Sequence, residues 1–144
     1  MRHPLLLLPF AAQAQEKPVE APAAGGVHFE EGLSWSAIHA KAKAENKYIF
    51  VDGFTTWCGP CKMMRQVIFP QPEAGTYFND KFISVPVQLD TTANDDKHVR
   101  SWYADAHALM VQYNIRAFPT FLIFSPEGQP LNRIGAAATP PGPS

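Results

Sequence analysis

The only two cysteines of the chain stand two residues apart, in Trp57-Cys58-Gly59-Pro60-Cys61-Lys62. The apolar run Tyr48-Ile49-Phe50-Val51-Asp52-Gly53-Phe54 precedes them and predicts a buried strand. Met63 to Phe69 follows with a helix-like pattern. The pair therefore sits at a strand-to-helix junction, and any fold for this chain must present such a turn. Two thiols at that spacing can close a small reversible disulfide. A helix start at the pair also supplies free backbone N–H groups and the positive end of a dipole. Both favour a thiolate, which is the nucleophile of disulfide exchange.

The flanking pattern predicts strands alternating with helices. Ser34 is an N-cap candidate, with Trp35, Ile38 and Ala42 following at helical spacing and Asn46 ending the helix. Pro70-Gln71-Pro72 breaks the cysteine helix, and Glu73 to Asp80 is expected to form a short helix or turn. Phe82 to Leu89 predicts a second strand, with Pro86 placed where no ladder donor is needed. Asp90 to Lys97 is loop-like, and His98 to Tyr113 has continuous helical spacing. Ile115 to Phe124 contains a proline followed by a strongly apolar strand. Ser125-Pro126-Glu127-Gly128-Gln129 is a turn signal, so Leu131 to Gly135 is expected to pair as a hairpin strand. The class is α/β, in layers.

The chain has 144 residues, enough for one domain, and 46% hydrophobic against 17% charged residues can build a core. The net charge of −1 is spread without a basic stripe, which argues against a nucleic-acid partner. No run reaches the length of a membrane span. Residues 1–14 fit a secretory signal: Arg2 and His3, a short apolar stretch from Leu5, and Ala12-Gln13-Ala14 as the cleavage pattern. Residues 15–27 are rich in Pro, Ala and Gly and are expected to form a flexible linker. The domain is expected over 28–138, and 139–144 as a disordered tail.

Export shapes the reading of the cysteines. A structural disulfide stabilises chiefly by closing a long loop, and a two-residue gap closes almost none. That favours redox chemistry over stapling. A structural zinc site needs four ligands, whereas there is no second cysteine pair and His28, His39, His98 and His107 are scattered. No metal is expected.

Trp57 to Lys62 on a strand-to-helix turn, Asp52 six residues before Cys58, and Phe118-Pro119-Thr120 before a late strand together resemble the thioredoxin superfamily. The likeness spans roughly Ser34 to Gly135. With the expected signal, it is most similar to periplasmic thioredoxin-like proteins, in particular the C-terminal domain of the thiol:disulfide interchange proteins. The resemblance implies a three-layer fold with a central mixed sheet flanked by helices. The C-terminal helix usual in such domains is expected to be missing, because prolines fill the end of the chain. Truncation is one explanation.

The resemblance also assigns roles. Cys58 would attack and Cys61 would resolve. Asp52 would accept the Cys61 proton through water; its alternative is a strand-end carboxylate facing solvent. Gly59 and Pro60 would shape the turn. Pro119 would be a cis proline that turns the Phe118 backbone toward substrate. Trp57 would cover the disulfide and join a docking surface; its alternative is plain core packing. The lysine that accompanies the buried acid in thioredoxin proper is absent, and Pro86 stands near its place. The implied activity is reduction of protein disulfides with no cofactor beyond the cysteine pair. The implied partners are protein substrates and a membrane or periplasmic electron donor, and a monomer is expected. Disulfide oxidation or isomerisation, or a non-catalytic binding module, are the alternatives.

Overall fold

The computed structural model describes residues 2–5 and 25–135. Apart from residues 2–5, the expected signal and most of the linker lie outside the described residues. So do residues 136–144, with the question of a terminal helix. No helix among the described residues is long and apolar enough to cross a membrane.

Helix α1 runs Trp35–Glu45. The Ala37 N–H donates to Ser34 Oγ at 3.2 Å, so the side chain satisfies one of the free donors of the first turn. Asn46 ends the helix in the left-handed region at φ 52°, where its N–H donates back to the Ala42 and Lys43 carbonyls. Strand β1, Tyr48–Phe54, follows almost at once and is buried over its middle five residues.

Helix α2 spans Gly59–Met63 and continues directly into a π-helical turn, Met64–Ile68. The helix thus starts within the cysteine motif, ahead of the Met63 to Phe69 pattern. Helix α3 is Pro72–Lys81 and strand β2 is Phe82–Gln88. The continuous helix expected over 98–113 is in fact two, α4 at Lys97–Ser101 and α5 at Tyr103–Gln112. They break at Trp102, whose backbone sits at φ −90°, ψ −9°. The physical reason is tertiary. The Trp102 ring is buried and its indole N–H donates to the Leu33 carbonyl at 3.0 Å, an anchor to the segment before α1. Strands β3, Thr120–Phe124, and β4, Pro130–Gly135, form a hairpin.

The sheet order is β2-β1-β3-β4. β2 is parallel to β1, while β3 and β4 run antiparallel to their neighbours. Val51 therefore lies between Val85 and Leu122. Pro86 sits on the edge strand. The carbonyl of Ser84, two residues earlier, faces outward and accepts the Glu30 N–H at 2.8 Å. By the period of two, Pro86 also turns its nitrogen to the outer edge, where no ladder donor is missing.

The two sheet faces are packed differently. Ile49, Val51, Val85 and Leu122 meet Ile38 and Ala42 of α1 and Ala106 and Leu109 of α5 in the aliphatic core. The opposite face carries aromatic rings. Phe50 is in edge contact with Phe78 at 4.8 Å and packs against Phe121 at 5.3 Å, with Phe69 and Phe82 completing the set. This aromatic layer seats α2, the π turn and α3 on the sheet, and so fixes where the cysteine motif leaves β1.

Candidate active site

Cys58 is the N-cap of α2, and Gly59 and Pro60 open the helix. Pro60 suits the first turn, where its missing N–H has no helical partner to lose. Cys58 and Cys61 are joined in a disulfide, and both are buried. The Cys61 N–H donates to Cys58 Sγ at 3.1 Å. That donor is aimed at Cys58 Sγ and the start of α2 points its dipole the same way, an arrangement that favours negative charge on that sulfur.

The loop entering the motif is held from two sides. The Cys58 N–H donates to the Thr55 carbonyl at 3.3 Å. The Asp90 carboxylate accepts the Thr56 N–H at 3.0 Å and also the Thr56 hydroxyl. Asp90 in turn lies next to a tied loop: Gln88 donates to its carbonyl at 3.0 Å and to the Asp95 carboxylate at 2.9 Å. Asp95 also accepts from Thr92 and Tyr103. Hydrogen bonds from the Thr92 and Tyr103 hydroxyls and from Gln88 hold its carboxyl well below the usual range. Sequence reasoning left Asp90 and Asp95 in a plain polar loop; the Thr and Asp spacing was the available signal.

Trp57 is 68% exposed, so it is not core. Its ring meets Phe118 edge-on at 5.7 Å. This contact brings the loop before β3 beside the cysteine motif. The Phe118–Pro119 peptide bond is cis, and Pro119 is buried. Thr120 is fully buried and its hydroxyl donates to the Ala117 carbonyl at 2.7 Å, which pins the same loop. Met63 and Val67 are also exposed, extending the apolar surface from Trp57 along α2 and the π turn.

Asp52 lies on the aromatic side of β1 and is 4% exposed. It is not a solvent-facing strand end. Its Oδ1 has no hydrogen-bond partner. Burial pushes its carboxyl up to about 6, and the Arg65 guanidinium acts in the opposite sense. In the ladder Asp52 faces Pro86 on one side and Phe121 on the other. Both Asp52 and Pro86 line a cavity of about 380 Å³ at the β2 edge of the sheet, with Phe54, Arg65, Asp96, His98 and Trp102 among its other walls. Arg65 was not singled out from sequence; its place one helical turn after Cys61 was the available signal. Among the described residues no three His, Cys, Asp or Glu side chains converge on a point that could hold a metal ion.

A sequence profile of the thioredoxin-like domain matches residues 36–142. The thiol:disulfide interchange protein DsbD of Shigella boydii is 28% identical over a match covering 90% of this chain. The match spans only 23% of that protein's length. A solved structure of the DsbH oxidoreductase superposes with a TM-score of 0.65 at 22% identity, covering 86% of this chain and 81% of the other, and shows the shared fold. A disulphide-isomerase candidate from Bacteroides thetaiotaomicron superposes with a TM-score of 0.60 at 32% identity, covering 82% and 87%.

Proposed function

The chain belongs to the thioredoxin-like domain family of thiol–disulfide oxidoreductases, and from that premise we propose that it is an exported reductase of protein disulfides. The observation that carries the reading is the buried Cys58–Cys61 pair at the start of α2, with Trp57 and Phe118 presented beside it.

In the reduced chain the Cys58 thiolate attacks one sulfur of a substrate disulfide. A mixed disulfide forms, and the other substrate sulfur leaves as a thiolate that takes a proton from solvent. Cys61 then gives its proton to the Asp52 carboxylate through water. The Cys61 thiolate attacks Cys58 Sγ and expels the second substrate thiolate. The Cys58–Cys61 bond closes and two electrons have passed to the substrate. The next turnover needs an external dithiol, supplied in an exported protein by a membrane or periplasmic electron donor. The exposed ring of Trp57 and the half-buried ring of Phe118, with the Met63 and Val67 surface, suit an extended polypeptide whose backbone pairs along the Phe118 loop.

Turnover with a disulfide-bonded test protein checks this reading. Cys58→Ser is expected to abolish it, and Cys61→Ser to accumulate the mixed disulfide. Full activity in Cys58→Ser would end the proposal. The 32% identity to the isomerase candidate supports a second reading, oxidation or isomerisation on the same cysteines. The two differ in reduction potential.

A further inference from the structure

Asp52 is buried with an unpartnered oxygen, and its neighbours in the ladder, Pro86 and Phe121, bring no charge. A carboxyl in that setting ionises only at a higher pH than one in water. The π turn supplies what the strands lack. Arg65 reaches back toward the sheet, its guanidinium carbon 4.4 Å from the centre of the Phe54 ring. Residues 52 and 54 alternate to the same face of β1. The ring that seats the guanidinium is therefore on the same face as the carboxyl, and both side chains line one cavity. Among the described residues Arg65 is committed to no ion pair.

We propose that Arg65 is the positioning residue for the Asp52 proton, its guanidinium supplying from the helix side the positive charge that the neighbouring strand does not provide. This rests on the reading of Asp52 as acceptor of the Cys61 proton. An ionised Asp52 is stabilised by Arg65 before Cys61 gives up its proton; the protonated form then returns that proton to solvent through the cavity. The other charged or titratable groups that face the cavity are Glu31 from the segment before α1, Asp96 at the N-cap of α4, and His98 in α4. Glu31 and Asp96 are acids and bring no positive charge to Asp52, and the Asp96 carboxylate already accepts the Val99 N–H at 2.8 Å. Arg65 is the one arginine or lysine of the lining.

The test is a carboxyl NMR titration of the full chain, parent against Arg65→Gln and Arg65→Lys, together with the pH profile of mixed-disulfide resolution by Cys61. Arg65 is exposed, so neither variant empties the core. In Arg65→Gln the Asp52 midpoint is expected to rise by on the order of one pH unit. The acid limb of the resolution profile is expected to move with it, a loss of about fivefold at pH 6. Arg65→Lys is expected to restore both. An unmoved Asp52 midpoint in Arg65→Gln overturns the inference, whatever Asp52→Asn does. Conversely, if Asp52→Asn resolves at the parental rate while the midpoint moves, the proton-acceptor reading fails and the charge role of Arg65 stands.

Discussion

Burial raises the Asp52 carboxyl from its ordinary value of 3.8 to about 6. Between those two values the folded chain binds a proton that the unfolded chain has lost. Stability therefore falls as pH rises through this window and stays reduced above it. Asp52→Asn removes the titration. It is expected to be more stable than the parent at pH 8 by on the order of 2–3 kcal/mol, with the gain vanishing toward pH 4. Denaturant unfolding at several pH values measures this. The same variant is expected to resolve mixed disulfides more slowly, a residue kept for chemistry at a cost in stability. Trp57 presents the opposite case. Its exposed ring meets Phe118 edge-on, an aromatic contact worth about 1 kcal/mol. Trp57→Ala is expected to leave the fold intact, to raise KM severalfold for a polypeptide disulfide, and to leave a small-molecule disulfide unaffected. An equal effect on both substrates would remove Trp57 from the docking surface.

At the scale of elements, close backbone approach outweighs local propensity. Gly75 lies inside α3, where alanine is intrinsically favoured by about 1 kcal/mol. A Cβ there would come within 2.5 Å of the Gly26 carbonyl oxygen. Gly26 is itself packed on the Phe69 backbone, and the Val27 N–H donates to the Phe69 carbonyl at 2.7 Å. Gly75→Ala is therefore expected to lower the melting temperature, the reverse of its helix propensity, and a thermal melt decides the sign. This contact was invisible in the sequence because it joins segments far apart in the chain. The elements that were legible carry their own signals: Ser34 and Asn46 bracket α1, and the apolar run of β1 leads straight into the cysteines. The break at Trp102 carries none, since no glycine or proline marks it. It follows from where the indole finds its partner, the Leu33 carbonyl. The π turn, Met64–Ile68 with Phe69 as its C-cap, carries no glycine or proline either.

Across the whole molecule, the mixed sheet separates an aliphatic core under α1 and α5 from an aromatic layer under the cysteine helix. The motif residues announced the cysteine pair, Asp52 and the Phe118-Pro119 loop, because each is a residue type out of place in its run: thiols at a helix start, an acid in an apolar strand, a proline before one. The cation that faces the acid was not announced, because an arginine on a helix surface is ordinary until the fold turns it toward a buried carboxyl. The central claim is that Cys58 and Cys61 interconvert as one reducing dithiol–disulfide couple. The most direct test equilibrates the purified chain in graded thiol–disulfide buffers and quantifies each free cysteine. The account predicts one reversible two-electron transition shared by both residues, near the roughly −270 mV of thioredoxin. A shared transition at or above about −180 mV would contradict the reducing direction, and cysteines that fail to titrate together would contradict the couple itself.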